Sequence, residues 1–211
     1  MTAPNKFGKL HVAPLVHAFL AAYPSVSVRL ILSDHVIDIV DAHVDVAVRI
    51  GRMPDSQLIS RQVGHVRWIL IASPDYLVRR GEPEDLEALR DHDCIAFEGL
   101  QTYMRWTFGV GADERTLPIK PRFSVNTADA VVEAAAAGLG VACLMSYQVA
   151  PAIADGRLVQ ILYRQDDRPT PVNLVHQPQP VQLLLRRAFL DYVAPRLSCA
   201  LEKIEESLGK A

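Results

Sequence analysis

The chain has 211 residues, half of them apolar and 22% charged, with a formal net charge of −2. That length accommodates one large domain or two lobes of about 100 residues each. The charge balance offers no global basic field for nucleic acid, and the apolar runs fall short of the ~18 residues a membrane span needs.

The first segment, MTAPNKFGKLHVAPLVHAFLAAYP, contains a Pro-Asn turn and then a helix expected from about Pro14, a residue well tolerated at a first helical position. Leu15, Phe19 and Leu20 share a face there, and Pro24 stops the run. VSVRLILS (26–33) is rich in β-branched and aliphatic residues and predicts a strand. This strand opens the first of two matching stretches. Leu30–Gly51 reads LILSDHVIDIVDAHVDVAVRIG, and Phe123–Met145 reads FSVNTADAVVEAAAAGLGVACLM. Each predicts a strand, a pair of small polar residues able to cap a helix (Ser33-Asp34 and Asn126-Thr127), a helix and a second strand. In an open α/β sheet such caps sit at the carboxyl ends of strands, where ligands bind. Helix N-termini there suit a small anion.

Within the first copy, Asp34, Asp38, Asp41 and Asp45 recur at helical spacing. A solvated helix face explains them better than a metal or acid/base site. LISRQVGHVRWILIAS (58–73) predicts one or two strands, and Ser73-Pro74 a capped helix that Gly81 ends. A helix over 82–93, a strand CIAFEG (94–99) and irregular β structure over 106–125 lead into the second copy. Its GLG is a helix C-cap rather than a dinucleotide fingerprint, which needs a third glycine. A helix at Ser146–Ala154, strands RLVQIL and VNLVHQ around the polar linker YRQDDRPTP (163–171), and two helices split at Pro195 complete the chain. Strands alternating with helices place the fold in the α/β class with largely parallel sheets. Two matching modules in different halves favour two lobes.

Catalytic signatures are missing. There is no GxSxG, HExxH, P-loop or paired CxxC, and the seven histidines include no i,i+4 pair. Cys94 and Cys143 fall in apolar runs and read as buried thiols. No metal, no cofactor and no enzymatic activity is expected; what remains is a binding site built of caps and backbone.

TAPNKFGKLHVAPL, the YP stop, LILSD and VDVAVRIG resemble the start of the effector-binding domain of LysR-type transcriptional regulators. ASPDYLVRRG, PEDLEALRDHDCIAF, FSVNTADAVVEAAAAGLGVACLM and GRLVQIL continue the match to about Leu197. The resemblance implies a fold like type-2 periplasmic binding proteins: two Rossmann-like lobes, 1–66 plus 178–211 and 67–177, with crossovers near Val66–Leu70 and Gln177–Pro180. It implies a small effector held between the lobes by Thr2, Pro4, Asn5, Ser33 and Asp34 from one, and Phe97, Glu98, Asn126 and Thr127 from the other. Arg49 and Ile50 are further candidates. It also implies a homodimer, or a higher oligomer at full length, with the Leu15/Phe19/Leu20 helix and the helix after Asn126 as facing elements. DNA would be bound only through a winged helix-turn-helix that this chain lacks, and the family's first strand would begin before Thr2. The expected location is cytoplasmic, since residues 1–20 show no secretory signal. A solute receptor of a transport system shares the fold and is the alternative, but it would need export. The segment SCALEKIEESLGKA lies outside the resemblance; its Leu201, Ile204 and Leu208 form a packing stripe, a dimer stripe or part of a frayed tail.

Overall fold

The computed structural model describes residues 1–53, 57–98, 104–109, 114–163, 169–178 and 184–209. Its chain separates into two compact α/β units, Met1–Val66 with Thr170–Ala211, and Arg67–Pro169. The return to the first unit thus comes at Thr170 instead of residue 178. The reason is pairing: the strand Pro169–His176 lies in register along Ala47–Ile50, which belongs to the first unit. Residues 164–168 of the expected linker, and part of the second expected crossover, lie outside the described residues.

In the first unit, β1 (Thr2–Ala3) is followed directly by helix. The run α1 (Asn5–Phe7), a π-helical segment (Gly8–Val12) and α2 (Ala13–Ala22) is continuous, so helix starts at Asn5 and not near Pro14. The wider π turn lies just before Pro14, whose ring would clash with the carbonyl one turn back in a regular α-helix. Phe7, Val12, Val16 and Phe19 point into the core.

β2 (Ile31–Leu32) and β3 (Ala47–Ile50) flank β1, both parallel to it, with Thr2 opposite Ile31 and Ala47. Only two residues of the expected strand 26–33 are paired, because β1 itself offers only two. The helix expected over Asp34–Asp45 does not form; bends and turns occupy the stretch. The Asp38 carboxylate accepts the N–H groups of Val40 (2.7 Å) and Asp41 (3.1 Å), closing a single local turn. His43 then leaves in the left-handed region at φ 52°. A short acidic side chain has outcompeted the helical backbone ladder. The apolar residues consequently part company: Ile39 and Val44 enter a cluster with Ala47 and Val175, while Val36 and Val40 are 85% and 55% exposed.

β4 (Ile59–Ala72) is one long strand that carries the chain into the second unit. There α3 (Pro74–Arg80) is capped by Ser73, whose Oγ accepts the Tyr76 N–H at 3.2 Å, and ends at Gly81 with φ 81°. The helix expected over 82–93 contracts to a 3-10 turn at Glu87–Asp91. β5 (Cys94–Phe97), the antiparallel ribbon β6 (Arg105–Phe108) and β7 (Arg115–Pro118), then β8 (Pro121–Val125), α4 (Ala128–Ala136), β9 (Val141–Met145), α5 (Ser146–Ala154) and β10 (Val159–Ile161) come next in the chain. The unit's sheet runs β10, β4, β9, β5, β8. β5 is parallel to β8 and β9, whereas β9 and β10 are antiparallel to β4, so the sheet is mixed rather than largely parallel. The second copy of the repeated pattern is therefore strand, helix, strand as its sequence indicates, with Gly138 at φ 76° ending α4. Cys94 and Cys143 are buried, and burial pushes the Cys94 thiol up to about 12.

β11 (Pro169–His176), antiparallel to β3, returns the chain to the first unit. α6 (Leu184–Leu208) is one helix passing through Pro195, not two helices separated there. Pro195 forfeits one backbone bond. Phe189, Val193, Leu197, Leu201 and Leu208 are buried on both sides of it and hold the helix straight through. Leu201 and Leu208 thus pack internally. So does Phe19, whose ring meets Phe189 (5.1 Å) and Tyr192 (5.4 Å) edge-on. It is withdrawn from any surface stripe with Leu15 and Leu20.

Candidate functional site

The sequence-derived site residues fall into two clusters, each at the carboxyl ends of parallel strands within its own unit. In the first unit the Ser33 N–H donates to the Ala3 carbonyl (3.0 Å), continuing the β1–β2 ladder past its last paired residues. Thr2 is wholly buried and its hydroxyl donates to the Ile31 carbonyl (3.0 Å), so it ties the two strands together. Pro4 is buried, and its extended backbone (φ −56°, ψ 145°) turns the chain into α1; its carbonyl accepts the Gly8 N–H at 2.7 Å. Asn5 is exposed at the helix start, and its backbone N–H donates to Asp34 Oδ1 at 2.9 Å.

That last bond revises the role of Asp34. It caps no helix of its own, since none forms after it, and instead caps the helix that opens at Asn5 from across the strand pair. A carboxylate accepting a first-turn N–H gains from the hydrogen bond and from the helix dipole. Asp34→Ala is expected to lower stability by about 1 kcal/mol, read as a lower urea midpoint at unchanged slope. Ser33→Ala should cost less than half as much, because its Oγ serves only a local turn with His35 (3.1 Å to both N and O). Equal losses would mean that Asp34 is not the cap.

Arg49 sits near the end of β3, and its Nη2 donates to the Ile37 carbonyl. Burial lowers its pKa, and the neighbouring Asp38 carboxylate opposes that shift. The side chain pins the 34–43 turns to the sheet. Ile50, opposite Val172, is half-buried. The linkage between Asp38 and Arg49 is not visible in the sequence; the only signal is a lone cation ending a strand downstream of a carboxylate series.

In the second unit Phe97 ends β5 opposite Val125, and the Glu98 N–H donates to the Val125 carbonyl (3.0 Å). Phe97 is 4% exposed and belongs to the core, whereas Glu98 and Asn126 are exposed. Thr127 stands at the N-cap of α4 with extended backbone and makes no side-chain capping bond. Its carbonyl accepts the Val131 N–H at 3.2 Å. The opening N–H groups of α4 therefore have no side-chain oxygen from their cap residue, in contrast to the α1 terminus that Asp34 occupies. Among the described residues no group of three His, Cys, Asp or Glu side chains is placed to hold a metal ion. No described helix is long and apolar enough to cross a membrane.

The family model described as the LysR substrate binding domain matches residues 1–198. The chain is 32% identical over 190 residues to the HTH-type transcriptional regulator CrgA of Neisseria meningitidis serogroup C (strain 8013), covering 89% of this chain and 63% of that protein. It is 30% identical over 157 residues to the HTH-type transcriptional activator TtdR of Escherichia coli (strain K12), covering 74% of this chain and 51% of that one. Among solved structures it is similar to the regulatory domain of CrgA from Neisseria meningitidis, with a TM-score of 0.80, 30% identity, and 93% and 96% of the two chains covered. It is also similar to full-length AphB, the Vibrio cholerae virulence activator, with a TM-score of 0.80, 27% identity, and 91% and 66% covered.

Proposed function

Because the chain belongs to the LysR substrate-binding domain family, we propose that it is the sensing part of a transcriptional regulator and binds a small anionic effector. The anionic group is received at the N-terminus of α4, beside Asn126 and Thr127. The observation that carries the anionic assignment is the α4 terminus, whose cap residue contributes no side-chain oxygen. Such termini concentrate N–H donors and partial positive charge. Asp129 in the same turn and the nearby Glu98 are exposed.

The chain spans 63% and 51% of the curated regulators to which it is similar. The signal passes to a DNA-binding helix-turn-helix in a full-length protein, and effector-dependent differences between two conformations supply the coupling. Pairing of two copies through α4 and the exposed side of α2 completes the regulator. With its regulator relatives, nothing favours the solute-receptor reading.

A thermal-shift series tests the effector class. Binding to the folded state alone adds RT ln(1 + [L]/Kd), about 2.7 kcal/mol at a hundredfold excess over Kd. Small carboxylates should raise the midpoint while their amides do not, and Asn126→Asp should abolish the shift by placing a like charge on the terminus. Stabilisation by neutral or cationic metabolites alone would sink the anionic assignment.

A further inference from the structure

In the second unit a chain of side-chain bonds, away from the strand-end cluster, holds the N-terminal ends of β5 and β9. Tyr76, on α3, is only 1% exposed, and its hydroxyl accepts the Asp93 N–H at 3.0 Å. The same hydroxyl lies 3.1 Å from Nδ1 of the half-buried His92, with the two ring centroids 5.8 Å apart. Asp93 passes the support on: its carbonyl accepts the Val141 N–H at 2.8 Å, at the first rung of the β5–β9 pairing. The Cys94 thiol points back to the His92 carbonyl at 3.6 Å.

The direction of the Tyr76–His92 bond follows from the protons available. A phenol has one proton to give. Its oxygen already accepts the Asp93 N–H, and the Arg80 guanidinium lies against it as well. The phenol proton therefore goes to Nδ1, the bare nitrogen of a neutral imidazole whose own proton is on Nε2. A second proton on His92 sets N–H against O–H and leaves the phenol proton without that acceptor. The charges around the ring do little to offset this. Arg80, anchored on the Asp91 carbonyl at 2.8 Å, repels an imidazolium. The Asp93 carboxylate is engaged by Arg122 of β8 at 3.7 Å, and Glu87 and Arg90 of the 3-10 turn pair with each other at 3.0 Å. Asp91 and Asp93 favour the charged ring, but burial and Arg80 outweigh them and hold its pKa below the ordinary 6.5.

We propose that Tyr76, His92 and Asp93 form a proton-operated latch: shut while His92 is neutral, it opens on acidification and releases the start of β5 from β9. The unfolded ring takes its proton at a higher pH than the folded one, so the latch is fully shut above pH 6.5 and is lost as the pH falls through the lowered folded value. β5 has only four residues, so its two ends lie about 10 Å apart. Loosening at Cys94 thus reaches Phe97 and the bond from the Glu98 N–H to Val125. Acid becomes a second input to the sensing unit. That regulatory use rests on the effector reading; the latch does not, and the effector-free chain suffices to test it.

Amide protection factors of the effector-free chain, compared at about pH 7.5 and about pH 4.5, supply the test. Acidification should lower protection by about tenfold at Asp93 and Val141 and by about threefold at Glu98, against less than about twofold along the β4–β9 ladder, Trp68–Ile71 opposite Ala142–Met145. In His92→Asn the Oδ1 atom can stand where Nδ1 does and takes up no proton, so high protection should persist at both pH values. Tyr76→Phe should show the low protection at both. Ring nitrogen shifts of His92 at neutral pH should report a proton on Nε2. An acid loss that persists in His92→Asn overturns the proposal, as does a proton on Nδ1 at neutral pH. So does protection that falls equally along the β4–β9 ladder, or a Glu98 amide that does not respond.

Discussion

Gly140→Ala is expected to lower stability by about 3 kcal/mol or more, a size reached by few single substitutions away from large cavities. A Cβ at this position would lie 2.2 Å from the carbonyl oxygen of Asp93 and 2.8 Å from its carbon. The obstruction is backbone, so no rotamer change relieves it. Asp93 is also fixed in place: its carbonyl accepts the Val141 N–H at 2.8 Å, and its N–H donates to the Tyr76 hydroxyl at 3.0 Å. Moving it aside opens the β5–β9 pairing at its first rung, Cys94 opposite Val141. With a urea slope of about 2 kcal/mol/M, the midpoint should fall by roughly 1.5 M. Gly156→Ala is the control. Its φ of 70° penalises a side chain, but nothing lies within 4 Å of the added carbon, so only the conformational cost of about 1 kcal/mol applies. Equal losses at the two glycines would mean that the close approach at Asp93 is not real.

Acidification from pH 6.5 to pH 4 is expected to cost about 2 kcal/mol through His11 alone. The imidazole lies on the π-helical segment beside Phe7, at 5.0 Å between ring centroids, and burial pushes its pKa down to about 4. In the unfolded chain the ring takes up a proton near pH 6.5, while in the folded chain it stays neutral until about pH 4. The unfolded state therefore binds more protons throughout that window. The stability contribution is complete above pH 6.5 and is lost as the pH falls through the folded value. The full gap corresponds to roughly 3.4 kcal/mol, and partial exposure of the ring reduces it to the smaller figure. His11→Leu should flatten the acid limb of a stability profile by this difference while leaving the limb above pH 7 parallel to that of the parent. The same acid slope in both proteins would remove His11 as the cause. The burial-lowered His92 and Met1 amine also weaken the fold on acidification, and they do so in both proteins.

The two repeated stretches illustrate how far the residues themselves reveal the fold. The alanine-rich second copy contains little that competes with a helix, and it forms one. The first copy has the same apolar spacing but carries Asp38, whose carboxylate satisfies two backbone N–H groups locally and ends the helix before it begins. Periodicity records which residues could share a face, not which hydrogen bonds win. Proline misleads in both directions. Pro14 lies inside a helix that opens at Asn5, and Pro195 lies within one continuous helix because burial on either side outweighs a lost bond. For the candidate site, the strand ends are legible in the sequence and the bonding is not. Asp34 finds the Asn5 N–H across 29 positions of sequence, a pairing created by the β1–β2 register alone. Thr2, Pro4 and Phe97 lie near strand ends and are buried, a degree of burial that no motif in the sequence signals.

The division of the chain between its units has a consequence for the order in which they are made. Residues 67–169 form one unit from an unbroken stretch, while the other needs both the beginning and the end of the chain. A polypeptide emerging from the ribosome folds its domains as their residues become available. The first unit, begun earliest, must wait for β11 to pair with β3 and for α6 to cover Phe19. The second unit starts later and has every strand and helix in hand sooner. During that interval Phe19 and its neighbours stay uncovered on the nascent chain.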